Sequence, residues 1–291
     1  MANTAEPTPG APTAPRTERD SMGEMAVPAA AYYGASTQRA VQNFPISPLR
    51  LPRSMIEALG RIKQAAAAVN AELDELPARL APAIAQAAAE VAGGRFDDQF
   101  VVDIFQTGSG TSSNMNANEV IANRAIELLG GERGQRELVH PNDHVNHGQS
   151  SNDVFPTALQ LAAVAGIDTV LLPGLAALEL ALTSRREAFW AVIKTGRTHL
   201  QDATPIRLGQ EFAGYAGQVE RAQAHLRQAR ARLLELPLGG TAVGTGVGRH
   251  PLFAERVIER LRTAYGEPGL HESENHFQAQ STLDAAVAAS A

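Results

Sequence analysis

His199 is the residue of this sequence best suited to proton transfer. It follows Thr198 in the stretch Lys194–Gln210, which Gly196 and Pro205 interrupt. Both of those residues are unfavourable inside a helix, so the stretch is predicted to be an irregular turn between two long helices. An imidazole gives and takes protons near neutral pH, which suits general acid–base catalysis. For any single histidine, the alternative is a loop residue that only hydrogen-bonds its neighbours.

Two other polar turns each precede a predicted helix. Gln106–Asn114 contains two glycines, which permit a tight turn, and a helical apolar pattern from Met115 to Leu128 follows it. Gln149–Asp153 precedes a longer helical pattern. The free N–H groups of a helix start and nearby hydroxyls bind anions, although the same residues also serve as ordinary helix caps. The donors in these turns are Ser109, Thr111, Ser112, Ser113, Ser150, Ser151 and Asn152.

Three histidines, His140, His144 and His147, lie just before the second turn. They suggest a metal site, but neither an acidic helix pair nor a cysteine completes a coordination shell. A polar turn is the preferred interpretation, and no metal or other cofactor is predicted. The chain contains no cysteine, which excludes disulfides and thiolate chemistry.

The composition indicates a helical globular protein. Of the 291 residues, 44% are hydrophobic, 19% are charged and only 5% are aromatic, which favours close-packed helices over a β-sandwich. The net charge of −6 argues against a nucleic-acid-binding protein. No apolar run is judged long enough to span a membrane. Residues 1–16 are predicted to form a disordered tail without a targeting signal, so a cytoplasmic location is expected.

Apolar residues recur every three or four positions through most of the chain, after a loop-rich segment at 17–50. Pro173 and Gly174 are expected to kink the long helix that follows the second turn. The glycine-dense stretch Leu238–Gly248 is either a close approach to a ligand or a hairpin bend. The last pattern runs into Ala291 without a cap, which indicates a chain cut within a helix. Helices are predicted at about 54–73, 78–92, 115–128 and 251–265, with two longer ones after Asp153 and after Gln210.

Together, the three turns suit proton transfer next to a carboxylate. Two of them supply donors for carboxylate oxygens, and the third carries His199. Removing a proton α to a carboxylate leaves an enolate-like dianion, which helix N-termini and hydroxyl donors stabilise. The hypothesis requires the three turns to converge, from different helices and from different chains.

The sequence resembles class II fumarate hydratases of the fumarase/aspartase superfamily. The similarity extends from about Arg16 to the end of the chain, and five matching blocks in the same order make it specific. They are Thr107–Glu119 (Thr-Gly-Ser-Gly-Thr-Ser-Ser-Asn-Met-Asn-Ala-Asn-Glu), His140–Asp143 (His-Pro-Asn-Asp), Gln149–Asp153 (Gln-Ser-Ser-Asn-Asp), Gly196–Pro205 (Gly-Arg-Thr-His-Leu-Gln-Asp-Ala-Thr-Pro) and Leu238–Gly246 (Leu-Gly-Gly-Thr-Ala-Val-Gly-Thr-Gly).

The resemblance implies reversible trans addition of water to fumarate, which gives L-malate through a carbanion or aci-carboxylate intermediate and without a cofactor. His199 would be the catalytic histidine that handles the proton of the water. The residues expected to hold the substrate are Ser109, Gly110, Thr111, Ser150, Ser151, Asn152 and Thr198. A second dicarboxylate site, outside the catalytic pocket, would comprise His140, Asn142 and Asp143.

The implied fold is all-α, with an N-terminal lyase domain at 17–148 and part of a central long-helix bundle domain at 149–291. Four subunits are expected to pack their central helices into one bundle, with each active site drawing on three subunits; neither nucleic acid nor membrane is an expected partner. Family members continue past residue 291 with a Gly-Ser-Ser-x-Met-Pro-Gly-Lys-x-Asn loop that supplies the base acting on carbon. The 291-residue chain alone is therefore predicted to have little or no hydratase activity.

Aspartate ammonia-lyase, which shares the fold and the dicarboxylate site, is the nearest alternative. It usually has Gln at the position of His199 and Thr at the position of Ser151, so both positions favour fumarate hydratase. A non-catalytic helical module, which only associates or binds anions, is the alternative from another class of protein.

Overall fold

The computed structural model describes residues 14–108 and 110–291, and α-helices dominate this part of the chain. The predicted all-α class is therefore confirmed. Of the predicted tail at 1–16, residues 1–13 lie outside the described part. The helices are α1 (Ala35–Asn43), α2 (Arg53–Glu72), α3 (Ala81–Ala92), α4 (Thr111–Leu128), α5 (Ser151–Gly166), α6 (Leu172–Ala188), α7 (Leu208–Arg232), α8 (Phe253–Tyr265), α9 (His276–Ser281) and α10 (Asp284–Ser290).

One hydrophobic core joins α2, α3, α4, the first half of α5, and α8. Small residues let its helices approach closely: a Cβ on Gly60 of α2 would lie 2.7 Å from the backbone nitrogen of Ala92 in α3. Only glycine fits at such a backbone contact. Two short parallel strands, β5 (Glu235–Leu236) and β6 (His271–Glu272), bring the chain back to this core after α7. The division at residue 148 into two domains stays a prediction.

The segment 17–50 contains more regular structure than the predicted loop. Strands β1 (Arg16–Asp20) and β2 (Gly23–Val27) form an antiparallel hairpin, and α1 follows. Helix α1 was not predicted because the side chain that caps its start lies 85 residues away in the sequence. The buried carboxylate of Glu119 accepts hydrogen bonds from the backbone nitrogens of Gly34, Ser36 and Thr37, and so caps α1 in place of a local side chain.

A long helical hairpin extends from the core. Helix α5, a π-helical turn at Ile167–Leu171 and α6 form 38 consecutive helical residues, which rise about 57 Å at about 1.5 Å per residue. The π turn lies just before Pro173, where a helical hydrogen bond is lost. Helix α7 returns antiparallel along α6. Gln223, in the middle of α7, bonds to Glu179 of α6 at 2.6 Å, and Arg230, near the end of α7, bonds to Asp168 of the π-helical turn at 2.6 Å.

Within the described chain, α6 buries none of its residues. Val170, Leu178 and Leu180 are 70%, 47% and 72% exposed, so an apolar surface of the hairpin has no partner inside this chain. By length and composition alone, Ser151–Ala188 also meets the criteria of a membrane-spanning helix, which corrects the expectation that no apolar run is long enough. This is weak evidence for a membrane, since helices of bundle cores meet the same criteria.

Candidate functional site

The first two polar turns meet in the structure. The hydroxyl oxygens of Thr111, at the start of α4, and Ser151, at the start of α5, lie 2.8 Å apart. Two helix N-termini that are 40 residues apart in the sequence therefore share one small surface. Backbone N–H groups at both helix starts and the hydroxyls between them make this surface suitable for an anion.

Glycine is required at the start of α4. Gly110 is the N-cap residue with φ of +70°, and a Cβ at this position would lie 2.4 Å from the Phe155 ring. An L-residue would suffer both the left-handed backbone and this clash. The side chain of Gln106 further fixes the turn, because its Nε2 donates to Ser113 Oγ and its Oε1 accepts from Ser113 N, each at 2.8 Å. Ser109, predicted to bind substrate, lies outside the described residues.

A capping box starts α5. Ser150 Oγ accepts a hydrogen bond from Asn152 N at 3.2 Å, and Ser150 N donates to Asp153 Oδ1 at 2.9 Å. The side chain of Asn152 donates from Nδ2 to the Ala242 carbonyl at 2.8 Å. The predicted donors Ser150, Ser151 and Asn152 therefore lie together on the first turn of this helix, against the glycine-dense loop.

Asp153 fastens that loop to α5. Its buried carboxylate accepts from the backbone nitrogens of Gly239 and Thr241, each at 3.0 Å, in addition to Ser150 N. Burial raises the pKa of the Asp153 carboxyl, against the opposing effect of these three donors and of Lys63. Of the two interpretations of the glycine-dense stretch, the structure supports a close approach of backbone to the candidate site.

Sequence reasoning missed Lys63 and Asn146, which lie beneath the turns. Lys63 on α2 is fully buried, and its Nζ donates to Asn146 Oδ1 at 2.6 Å. Burial lowers the pKa of Lys63 to about 7, and the Asp153 charge opposes that shift. A signal was available in the sequence: Lys63 follows Leu59 by four residues and precedes Ala66 by three, which puts it on the apolar face of its helix.

A hollow of about 610 Å³ opens beside the two turns. Gly108 and Asn152 line one part of it, and Phe155, Val243 and Phe277 line the apolar remainder. Its volume is within the range of small-molecule sites, and Gln280 and Ser281 of α9 add polar side chains to its lining.

The third predicted turn is a β-hairpin, not an irregular turn. Strands β3 (Ile193–Thr198) and β4 (Gln201–Arg207) pair antiparallel, with a register shift between Thr195 and Arg197. Gly196 and Pro205 suggested irregular structure, but a two-stranded hairpin has only edge strands, where a bulge and a proline are tolerated.

His199 and Leu200 form the tip of this hairpin. Their φ values are +49° and +63°, which is the conformation of a type I′ turn, where Asn and Gly are preferred. The His199 side chain is exposed, and no group in the described chain hydrogen-bonds to it. Because the 57 Å helix Ser151–Ala188 separates this tip from the two donor turns, Thr198 and His199 do not join them within one chain.

The predicted second site lies on a π-helical turn at Pro141–Val145. His140 Nδ1 accepts from Asp143 N at 3.2 Å, while Asn142 and Asp143 are exposed. The backbone nitrogen of His140 donates to His144 Nδ1 at 2.9 Å. Within residues 14–108 and 110–291, no cluster of three or more His, Asp or Glu side chains has the arrangement of a metal site.

Known proteins of similar sequence identify the family of this chain. The sequence model of a family described as lyase matches residues 23–291. The chain belongs to this lyase family. It is 56% identical over 270 residues to the class II fumarate hydratase of Halobacterium salinarum, a match that covers 93% of this chain and 57% of that protein. The corresponding protein of Nitrosomonas europaea is 53% identical over 272 residues, covering 94% and 59%.

Solved structures of related proteins share the fold. The chain aligns with the cobalt-bound fumarate lyase:delta crystallin of Brucella melitensis with a TM-score of 0.90 and 44% identity, over 95% of this chain and 60% of that one. The class II fumarase of Schistosoma mansoni gives a TM-score of 0.87 and 41% identity, over 95% and 61%. These matches confirm the resemblance seen in the motifs. The chain spans about three fifths of the length of these relatives.

Proposed function

We propose that the protein to which this chain belongs is a fumarate hydratase, which adds water reversibly and in trans geometry to fumarate to form L-malate. The contact between Thr111 Oγ1 and Ser151 Oγ, at 2.8 Å, is the structural observation that most supports it. It puts two helix N-termini and their hydroxyls where one carboxylate can meet both. Relatives named class II fumarate hydratase, at 53% and 56% identity, supply the substrate class.

In this proposal the donor turns hold a substrate that carries two negative charges. Hydroxyls and amides of Ser109, Thr111, Ser150, Ser151 and Asn152 donate to the carboxylate oxygens without bringing a competing negative charge. As the hydroxyl of water adds to one carbon, the second carbon becomes a carbanion, whose charge its carboxylate takes up in the aci form. Donors that are already oriented by the capping box and by the Gln106–Ser113 bonds stabilise that charge most in the transition state.

His199 accepts the proton from the attacking water, and Thr198 beside it contacts a carboxylate. The other carbon receives its proton from an acid that lies outside this chain; the resemblance assigns that role to a serine. Both protons are then accounted for, and no redox partner is needed. Because Ser151 begins a helix of about 57 Å and the hairpin that carries His199 follows its far end, the proposal requires His199 of one subunit to reach the donor turns of another.

The proposal includes a homotetramer in which the long helical hairpins of four subunits pack into one bundle. The exposed apolar surface of α6 is consistent with such a bundle. The proposal also includes the cytoplasmic location, the domain boundary at 148/149 and the second dicarboxylate site at His140, Asn142 and Asp143. The last of these has an exposed Asp143, whose negative charge must be offset before a dianion binds there.

Complementation of the chain tests the proposed function. The chain is assayed alone, and then with the C-terminal segment of the Nitrosomonas europaea relative added in trans, by the loss of fumarate ultraviolet absorbance. We expect little or no turnover from either piece alone and clear turnover from the mixture. Ammonia released from aspartate, without fumarate hydration, would assign the aspartate ammonia-lyase reaction instead. A well-assembled mixture with neither activity would favour the non-catalytic module.

A further inference from the structure

Beneath the two donor turns, a buried polar junction connects them. Asn146 lies at its centre: its Oδ1 accepts from Asn114 Nδ2 at 3.2 Å, and its Nδ2 donates to the Gln149 carbonyl at 3.2 Å. Asn114 belongs to the first turn of α4, and Gln149 directly precedes the N-cap of α5. One amide side chain therefore links the supports of both helix starts.

Helix α2 holds this junction from below. Lys63 Nζ donates to Asn146 Oδ1 at 2.6 Å, which is the shortest of the bonds that this amide makes. Seven residues further along the same helix face, Asn70 Nδ2 donates to the His147 carbonyl at 3.0 Å. Lys63 and Asn70 are both 1% exposed or less, so the two bonds are made away from water.

A buried lysine is costly unless a specific contact offsets its desolvation. Apolar residues surround this position on α2, and methionine of similar length would fit the same face without that cost. The cost is offset by the Asn146 bond and by the charge of Asp153, the residue that completes the capping box of α5. Lys63 therefore contacts the supports of the donor turns and not the surface on which a ligand would bind.

We propose that Lys63 is a positioning residue, which fixes Asn146 and thereby sets the distance between the hydroxyls of Thr111 and Ser151. What those hydroxyls bind rests on the proposed function, but the positioning itself is a property of the chain. Lys63 bonds to Asn146, so its effect on the donor turns passes through Asn146 and through the first turn of α5.

Hydrogen–deuterium exchange of the chain tests this positioning. Lys63→Met removes the donor and the charge while keeping similar length. The matched control is Leu59→Ala, which removes buried apolar atoms one helical turn earlier on α2. Peptides covering 110–114 and 146–154 are compared with peptides from α3, and the thermal unfolding of each variant is recorded.

We expect Lys63→Met to speed exchange of the two junction peptides about 10-fold or more relative to α3. Leu59→Ala should speed exchange evenly across the core. Asn146→Leu should reproduce the Lys63→Met pattern, and the double variant should add little to either single variant, because both break the same connection. The proposal is overturned if Lys63→Met gives the even pattern of Leu59→Ala, or if the effects of Lys63→Met and Asn146→Leu are additive.

A second measurement separates this proposal from the proposed function. In the complemented mixture, Lys63→Met should lower kcat/KM for fumarate about 10-fold or more and lower kcat as well, because displaced donors weaken carboxylate binding and weaken it most in the transition state. An unchanged kcat and kcat/KM would contradict a positioning role. If the unsubstituted mixture has no hydratase activity, the proposed function fails, while the exchange result still decides the role of Lys63.

Discussion

The donor turns and the histidine hairpin are built in opposite ways. At the starts of α4 and α5, side chains are held by a capping box, by Gln106 and by the buried Asp153 carboxylate. At the hairpin tip, Leu200 is 94% exposed, and two non-glycine residues adopt positive φ. One region is braced by hydrogen bonds within its own chain, whereas the other exposes the His199 side chain.

This difference matches what each region is proposed to do. Donors that stabilise developing charge are most effective when their orientation is set before the reaction, and buried supports provide that. A left-handed conformation costs about 1–2 kcal/mol for each L-residue, and such strain is concentrated at functional sites. The hairpin therefore keeps a costly tip, at which the exposed His199 side chain has no hydrogen-bond partner in the described chain. Two predictions test whether the turns are structural as well as functional, and two test the hairpin.

The largest expected effect is that of His199→Asn on catalysis. In the complemented mixture, loss of the imidazole should lower kcat about 10²–10⁴-fold, as expected for removal of a general base. Because the side chain is exposed and has no hydrogen-bond partner in the described chain, the free energy of unfolding of the chain should change by less than about 0.5 kcal/mol. Stopped-flow or steady-state absorbance and urea unfolding measure the two quantities.

The control for His199→Asn is His225→Asn, which alters an exposed histidine on α7. It should leave both kcat and stability unchanged. If His199→Asn destabilised the chain by more than about 1 kcal/mol, the hairpin would be a structural element and the contrast with the donor turns would disappear.

Asp153→Asn should have the largest effect on stability. An amide at this position turns an N–H₂ group toward donors from Ser150, Gly239 or Thr241, and it leaves Lys63 without its opposing charge. We expect the free energy of unfolding to fall by about 3 kcal/mol, measured by urea denaturation of the chain alone. Asp143→Asn, at a side chain that is 75% exposed, is the control and should change it by less than about 0.5 kcal/mol. Equal effects of the two substitutions would refute the role of Asp153 as a buried anchor.

Lys63 should make stability depend on pH in a predictable direction. Its pKa is about 7 in the folded chain and ordinarily about 10.5, so between these values the unfolded chain holds a proton that the folded chain lacks. Stability from this group therefore rises with pH through that window, by at most about 1.4 kcal/mol per pH unit. The unfolding free energies of the unsubstituted chain and of Lys63→Met are measured by urea denaturation at pH 7, 8 and 9. The value for the unsubstituted chain minus that for Lys63→Met should increase with pH. If this difference stayed constant or decreased with pH, the lowered pKa of Lys63 would be contradicted. Asp153 is the charged group that faces Lys63, and burial raises the pKa of its carboxyl.

The sequence predicted the helices that carry the donor turns because their apolar periodicity is local and strong. It failed for α1 and for β3–β4, where the deciding contacts are distant or weak. Glu119 caps α1 from 85 residues away, and the hairpin has a bulge at Gly196 that hides its alternation. The motifs predicted which residues approach each other at Thr111 and Ser151. The motifs include neither Lys63 nor Asn146, because a contact made from below a turn leaves no pattern within that turn; the available sign was the position of Lys63 on the apolar face of α2.

The smallest expected effect, Leu200→Gly, tests the strain at the hairpin tip directly. Leu200 has φ of +63°, a conformation that glycine adopts without steric cost. Relief of about 1–2 kcal/mol of strain exceeds the extra backbone entropy that glycine loses on folding, about 0.5–1 kcal/mol. The chain alone should therefore gain up to about 1 kcal/mol and roughly 1–3 °C in Tm by calorimetry. Leu200→Ala keeps an L-residue at this φ and should give no such gain. If Leu200→Gly raises Tm and also lowers kcat in the complemented mixture, the strained tip is retained for the reaction. If Leu200→Gly and Leu200→Ala have equal Tm, the tip carries no strain to release.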